Sequence, residues 1–97
     1  DDKKPRLVKI LGKKMEVTPK GDMIFIENMD IPGVIGKVGT FLGSRKINIA
    51  AYLLNRTTDN EMAFAVIRVD NEVKEIDISL LKKLDGIKWV KHIKVNI

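Results

Sequence analysis

Residues 30–49 decide the fold, and they open with a turn that reads Asp30-Ile31-Pro32-Gly33-Val34-Ile35-Gly36. Proline suits the first position of a helix because its missing N–H would be unpaired there anyway. A glycine beside it lets another backbone or a ligand come close. We therefore predict that a strand ends at Asn28 and that a helix begins at Pro32. The amides of a first helical turn are unpaired and lie at the positive end of the helix dipole, so this turn is also predicted to bind an anion such as a carboxylate.

The segment from Pro32 to about Arg45 has the periodicity of an amphipathic helix. Its apolar residues recur at i, i+3, i+4 and i+7 spacing, and they form a predicted buried stripe of Val34, Ile35, Val38, Phe41 and Leu42. Three glycines lie near one another on a second face: Gly36, Gly39 and Gly43. Because each costs a helix roughly 1 kcal/mol relative to alanine, we expect this face to pack closely against a neighbour, although Gly43 also suits the end of the helix.

The elements around this helix predict an α+β fold. The apolar stretch before the turn predicts a central strand, and two further apolar stretches joined by a polar turn predict an antiparallel pair. The predicted elements are strands at residues 22–28, 49–56, 61–69 and 90–95, with a second helix at about 77–83. This order, β-α-β-β-α-β, is the ferredoxin-like arrangement, in which a four-stranded antiparallel sheet carries both helices on one face.

Two regions fall outside this simple pattern. Residues 6–17 read as a β-hairpin, so we divide the chain into an N-terminal hairpin and linker at 1–20 and a main domain at 21–97. A lone two-stranded hairpin is only marginally stable in water, so we expect this one to pack against another part of the protein. The strand at 49–56 has apolar residues at both odd and even positions, and therefore on both of its faces. This pattern indicates burial on both faces or a contact between subunits.

Composition narrows the possible functions of the chain. The net charge is +5 over 97 residues, but the lysines are scattered and have no interleaved aromatic residues, so they indicate a solvated surface rather than a nucleic-acid-binding face. No apolar run approaches the roughly 18 residues of a membrane span. The absence of cysteine excludes disulfides and thiol nucleophiles and fits a reducing compartment, so we expect a cytoplasmic protein. Because the chain starts at Asp1 without a methionine, we expect a piece of a longer protein.

The turn at 30–36, followed by Ile47-Asn48-Ile49-Ala50, resembles the ACT domain, a small amino-acid-binding regulatory module, over about residues 22–97. Together with the hairpin, the chain is similar to the C-terminal end of those D-3-phosphoglycerate dehydrogenases that have an extra domain before the ACT domain. This resemblance implies that the hairpin is the tail of that upstream domain or its linker. The β subunit of iron–sulfur L-serine dehydratase carries a similar pair of domains, and the residues leave these two parents open.

This resemblance implies a regulatory fragment without catalytic residues, metal or cofactor, attached to a parent enzyme that uses NAD. It implies a homodimer or higher assembly in which L-serine or another small amino acid binds between two ACT domains and feeds back on a distant catalytic domain. From the composition we expect no nucleic-acid or membrane partner. The ligand-contacting positions carried over from the family are Asn28, Asp30, Ile31, Pro32, Gly33, Val34 and Asn48.

Each polar position in this set has a chemical role and a plainer alternative. The amides around Gly33 and Val34 would take the carboxylate, and the Asp30 carboxylate would take the ammonium group, unless Asp30 is only the helix N-cap. Asn48 offers both a donor and an acceptor, or it merely holds a turn. Asn28 stands where serine-binding relatives often have histidine. Besides a sensor module in either of the two possible parent enzymes, the chain could be a structural dimerisation module that binds no ligand.

Two other groups of polar residues have structural interpretations. His92, the single histidine of the chain, reads as a surface or strand residue rather than a catalytic base. The acidic residues between positions 70 and 77 read as a solvated connection rather than a metal site.

Overall fold

The computed structural model describes residues 6–10, 13–17, 21–56 and 62–95. In chain order the elements are β1 (Arg6–Ile10), β2 (Lys13–Val17), β3 (Gly21–Met29), α1 (Val34–Ser44), β4 (Ile49–Arg56), β5 (Met62–Val69), α2 (Glu75–Leu81) and β6 (Ile87–Val95). The first two strands pair antiparallel as a separate hairpin. The other four form one antiparallel sheet in the order β4-β5-β3-β6. The predicted α+β, ferredoxin-like βαββαβ fold is confirmed; the predicted turns at 11–12 and 57–60 lie outside the described residues.

Helix α1 begins two residues later than predicted. Gly33 precedes it with a left-handed backbone (φ 93°) and acts as its N-cap. Because a left-handed residue cannot continue a right-handed helix, Pro32 belongs to the turn, and its prediction as the first helical residue is wrong. Asp30 lies three residues before the cap, so the interpretation of Asp30 as the N-cap is also wrong.

Helix α2 begins two residues earlier than predicted, at Glu75. The backbone N–H of Lys74 donates to Oδ2 of Asp77 at 3.0 Å, which satisfies one orphan donor at the helix start. Asp77 is therefore the third residue of the helix rather than the first. It is also buried and accepts from Nε of Arg45 at 2.6 Å, so the prediction of a fully solvated acidic connection is wrong at this position.

The main core lies between the sheet and the two helices. Its fully buried side chains come from both layers: Ile24, Ile26, Ile67, Val38, Leu42 and Leu81. The predicted stripe of α1 holds for Val34, Val38 and Leu42, with Phe41 packed at the edge of the core. Ile35 departs from the prediction, because 41% of it is exposed.

The glycine face of α1 has no partner in the described part of the chain. A Cβ atom built on Gly36, Gly39 or Gly43 would meet nothing within 4 Å, so the predicted close packing is absent there. The close approach occurs at Gly86 instead, where an added Cβ would lie 2.9 Å from Cγ2 of Val34. The Gly86 carbonyl also accepts from the N–H of Met29 at 2.8 Å. This glycine therefore holds the start of α1 against the end of β3.

The face of the sheet opposite the helices has a second apolar cluster. Met23, Phe25, Phe64 and Val66 are buried there, and Trp89 packs against them with its ring centroid 6.4 Å from that of Phe64. His92 is a strand residue on β6, as one of its two predicted placements has it, and its Nε2 lies 2.7 Å from Oδ1 of Asp22 at the start of β3.

Strand β4 forms one edge of the sheet and is nowhere fully buried. An irregularity between Ile49 and Ala51 shifts its register, so Ile49, Tyr52 and Leu54 all pack against the main core. Leu53 points to the other side and is 39% exposed. Burial on both faces within the chain is therefore wrong as a prediction, and the alternative of a subunit contact stays a prediction. Among the described helices, none has the length and apolar character needed to cross a membrane.

Candidate functional site

A pocket of about 360 Å³ lies where the end of β3, the following turn, the start of α1 and the end of β4 meet. Its walls are formed by Asn28, Asp30, Ile31, Pro32, Gly33, Ile35 and Arg56. The sheet register explains why these segments converge. Asn28 on β3 and Arg56 on β4 both pair with Ala63 on β5, so the three residues form one row across the sheet.

An ion pair spans the mouth of this pocket. Nε of Arg56 donates to Oδ1 of Asp30 at 3.0 Å, with the two side chains 66% and 28% exposed. Neither side chain has a second polar partner among the described residues, so Oδ2 of Asp30 and both Nη groups of Arg56 stay available. The exposure of the pair means that it contributes little to folding. Its polar atoms are therefore free to serve recognition.

Asn28 contributes a buried polar atom without a partner. The residue is 3% exposed, and its Nδ2 donates to the carbonyl of Met29 at 2.9 Å. Its Oδ1 is buried and accepts no hydrogen bond within the described chain. An unpaired buried acceptor costs about 1–3 kcal/mol, so a native protein rarely keeps one without a reason. A ligand donor in the adjoining pocket would satisfy it.

The N-terminus of α1 supplies amide donors to the same region. The first turn has no acidic residue, and the N-cap Gly33 makes no side-chain capping bond. The N–H of Lys37 bonds to the carbonyl of Gly33, so the amides of Val34, Ile35 and Gly36 precede the first intrahelical bond. Space is open beside Gly33, where an added Cβ would meet nothing within 4 Å. The turn therefore presents donors to open space.

Two of the predicted contact residues, Val34 and Asn48, do not line the pocket with their side chains. The side chain of Val34 is buried in the core at 2% exposure, so only its amide can face a ligand. Asn48 precedes β4, whereas the pocket lies at its other end, a distance of about 25 Å for eight residues of strand. Nδ2 of Asn48 donates to Oδ2 of Asp70 at 2.8 Å, and its backbone N–H donates to Oδ1 of Asn71 at 2.6 Å. Within one chain, Asn48 holds a turn.

The sequence analysis missed Arg56 as a pocket residue. Nothing local marks it, because a polar residue at the end of a strand is common. The signal that identifies it is the register that places Arg56 and Asn28 in one row, and this requires the strand order. The described residues also contain no group of three histidine, cysteine or acidic side chains placed to hold a metal ion.

Most of the chain is similar to known proteins. The family model described as the ACT domain matches residues 23–86. D-3-phosphoglycerate dehydrogenase of Archaeoglobus fulgidus is 36% identical over 84 residues, covering 84% of this chain and 16% of that protein. The Methanocaldococcus jannaschii enzyme is 30% identical, covering 95% and 18%, and the Bacillus subtilis enzyme is 29% identical, covering 93% and 17%. The chain thus spans less than a fifth of the length of these relatives.

A solved structure supports the same fold. An uncharacterized protein from Thermotoga maritima superposes with a TM-score of 0.53 at 17% identity, covering 79% of this chain and 98% of that one. The family match at residues 23–86 includes the end of β3, the turn, α1 and β4, which together build the pocket. The resemblance drawn from the turn motif is confirmed: this chain belongs to the ACT domain family of non-catalytic regulatory modules and is homologous to the matching region of D-3-phosphoglycerate dehydrogenases.

Proposed function

We propose that this chain is the L-serine-sensing module of an NAD-dependent D-3-phosphoglycerate dehydrogenase and mediates feedback inhibition of serine biosynthesis. The observation that best supports this proposal is the pocket at the Asp30 turn, where a carboxylate, the amides of a helix end and an unpaired amide oxygen lie together. The relatives of the chain are named D-3-phosphoglycerate dehydrogenase. The site has no catalytic residue of its own.

The pocket suits a small zwitterion. The second carboxylate oxygen of Asp30 would take the ligand's ammonium group as a charge-assisted hydrogen bond. The amides at the start of α1 would face its carboxylate. Oδ1 of Asn28 would accept from the ammonium or from a side-chain hydroxyl, which favours an amino acid that carries a hydrogen-bond donor. Ile31, Pro32 and Ile35 leave an apolar wall that disfavours a charged ligand side chain.

The second half of the site would come from another copy of the chain. ACT domains generally dimerise, and β4 is an edge strand of the sheet among the described strands. If two β4 edges pair antiparallel about a two-fold axis, the start of each strand lies beside the end of the other. Asn48 of one copy would then approach the Asp30 turn of its neighbour. The Oδ1 atom of Asn48, which accepts nothing within the described chain, would be available to the ligand's ammonium group.

The regulation would follow from linkage. An amino acid that binds one arrangement of the paired domains better than another shifts the parent enzyme toward that arrangement. For serine, the end product, the favoured arrangement would be the inhibited one.

Calorimetric titration tests the proposal directly. The chain is titrated with L-serine and with glycine, L-alanine, L-threonine and L-valine, and sedimentation is measured with and without each ligand. We expect saturable binding of serine at two equivalent sites per dimer, one at each Asp30 turn. A folded, dimeric chain that binds none of the amino acids would reject the proposal.

A structural dimerisation module is the second candidate, and one observation favours it: Asp30 and Asn48 already have protein partners. Asp30→Asn and Asn48→Ala separate the two functions. Both candidates predict that assembly persists, but only the sensor predicts that serine binding is lost. The L-serine dehydratase β subunit is a further possible parent. A nucleotide-binding glycine-rich turn in the upstream part of the parent protein would favour the dehydrogenase over it.

A further inference from the structure

We propose that Arg56 is a specificity-determining residue that binds the α-carboxylate of the effector, so that the site accepts free amino acids and discriminates against those with a blocked carboxylate. This inference rests on the proposed function. It adds to the pocket a residue that lies outside the turn motif.

The position of Arg56 brings its charge to the ligand. It ends β4 and shares a sheet row with Asn28, with the small side chain of Ala63 between them. It lines the same pocket as Asp30 and Gly33. The arginine therefore brings a positive charge from the end of β4 to the pocket at the Asp30 turn.

The contact with Asp30 leaves most of the guanidinium unused. An arginine has five N–H donors in a fixed fork, and only Nε is engaged here, at 3.0 Å from Oδ1 of Asp30. The Nη groups have no partner in the part of the chain that the structure describes, and 66% of the side chain is exposed. The contact holds the guanidinium in place while its two-pronged edge stays open.

The pair is complementary to a zwitterion. An α-amino acid has its ammonium and carboxylate groups on one carbon atom, so its opposite charges lie side by side. Asp30 and Arg56 also present opposite charges side by side, so that Asp30 can face the ammonium group of the ligand and Arg56 its carboxylate. A ligand bound across them would complete an alternating ring of four charges, with ammonium on Oδ2 of Asp30 and carboxylate on the Nη groups of Arg56.

The helix end would be a weaker carboxylate receptor without this residue. Its amides amount to about half a charge, whereas arginine supplies a full charge in a geometry that matches a carboxylate. We therefore assign the charge recognition to Arg56 and the orientation of the carboxylate to the amides.

A competing role would have the opposite effect. If Arg56 merely neutralises Asp30, the ligand's ammonium group must compete with it. Removing the arginine would then strengthen the binding of every ligand with an ammonium group, whether or not it has a carboxylate.

The experiment combines protein variants with a change in the ligand. Arg56→Gln, Arg56→Lys and the unmodified chain are titrated with L-serine and with L-serinamide, which lacks the carboxylate, at about pH 6, where both amines are protonated. Lys91→Gln is the matched control because it removes one positive charge from an exposed position on β6, at the other edge of the sheet. Thermal melting checks that each variant is folded.

We expect Arg56→Gln to weaken the binding of serine about tenfold or more, while the affinity for serinamide changes by less than about twofold. Arg56→Lys should give an intermediate loss for serine, because it keeps the charge and lacks the fork. Lys91→Gln should change neither the affinity for serine nor the affinity for serinamide. If Arg56→Gln does not fold, the serine-to-serinamide ratio of Arg56→Lys decides the question.

The contrary outcomes separate this inference from the proposed function. The role of Arg56 would be overturned, while serine sensing stands, by an unchanged ratio of serine affinity to serinamide affinity in the Arg56 variants. Equal losses of affinity for both ligands, or a gain for both, would overturn it in the same way. Absence of serine binding to the unmodified chain would reject both.

Discussion

At the scale of single residues, Asn28 links stability to recognition. Its buried Oδ1 has no partner, which is unfavourable in the ligand-free chain. A leucine of similar size would remove this acceptor together with the Nδ2 bond to Met29. Because the two changes oppose each other, Asn28→Leu should alter the free energy of unfolding by less than about 1 kcal/mol while abolishing serine binding.

Urea unfolding and calorimetric titration of the same Asn28→Leu protein check this expectation. Glu27→Gln, a polar change at the preceding position on the opposite face of β3, is the comparison and should retain binding. A large loss of stability in the leucine variant would show that Oδ1 has a structural role in the unliganded chain.

Residue-scale reasoning from the sequence reached part of this pocket. The turn could be predicted because proline and glycine have local conformational preferences. The seven contact positions came from the family resemblance, and five of them line the cavity. Arg56 could not be predicted, since its proximity to Asp30 depends on the register of two strands with β5. The start of α1 was misplaced because the left-handed backbone of Gly33, rather than the ring of Pro32, fixes it.

At the scale of elements, Asp77 ties the end of α1 to the start of α2. Burial raises the pKa of this carboxyl, but the backbone N–H of Lys74 and the hydrogen bond and charge of Arg45 lower it by more, so the pKa of Asp77 lies below its usual range. A carboxyl whose pKa is lower in the folded state contributes stability above its unfolded pKa of about 3.9. That contribution is lost as the pH falls through the folded value.

Asp77→Asn should therefore destabilise the chain near pH 7, by about 1–3 kcal/mol for the lost charged hydrogen bonds. The difference in melting temperature between the variant and the unmodified chain should shrink as the pH is lowered from about 5 to below the folded pKa. Circular dichroism melts across this range provide the measurement. Asp85→Asn, the same change at an exposed position, should melt like the unmodified chain throughout. A pH-independent difference would show that the ionised carboxylate is not what joins the helices.

Gly86 sets the distance between α1 and the end of β3. An added methyl group would lie 2.9 Å from Cγ2 of Val34, and the backbone of Gly86 is left-handed at φ 90°. Both effects oppose a side chain, so Gly86→Ala should cost about 2–4 kcal/mol, from the overpacking and the backbone strain together. Thermal or urea unfolding measures it. Gly39→Ala, in the open helix face, should instead be neutral or stabilising because alanine favours a helix.

At the scale of the whole molecule, hydrophobic periodicity was enough to predict the element order and the ferredoxin-like topology. It failed where an element faces something outside the described chain. The glycine face of α1 and the apolar outer side of β4 were both predicted to be packed, yet both are exposed. A pattern of small or apolar residues records that a contact is favourable, but it does not say whether the partner belongs to the same chain.

The β4 edge provides the last prediction. An antiparallel two-fold pairing of Ile49–Arg56 with itself can be centred on Leu53, next to the midpoint of the strand, and Leu53 then faces its own copy across the axis. The chain has no cysteine, so Leu53→Cys introduces a single thiol close to that axis. Oxidation should join two copies through this residue at low protein concentration, since the Cβ atoms of facing residues come within disulfide range. Ile93→Cys is the matched control, because Ile93 has the same 39% exposure and lies on β6, the other edge strand. Non-reducing electrophoresis should show a covalent dimer for Leu53→Cys only, and the cross-linked dimer should still bind serine. Cross-linking of the Ile93 variant alone, or of both variants equally, would place the contact elsewhere and leave Asn48 without a route to the site.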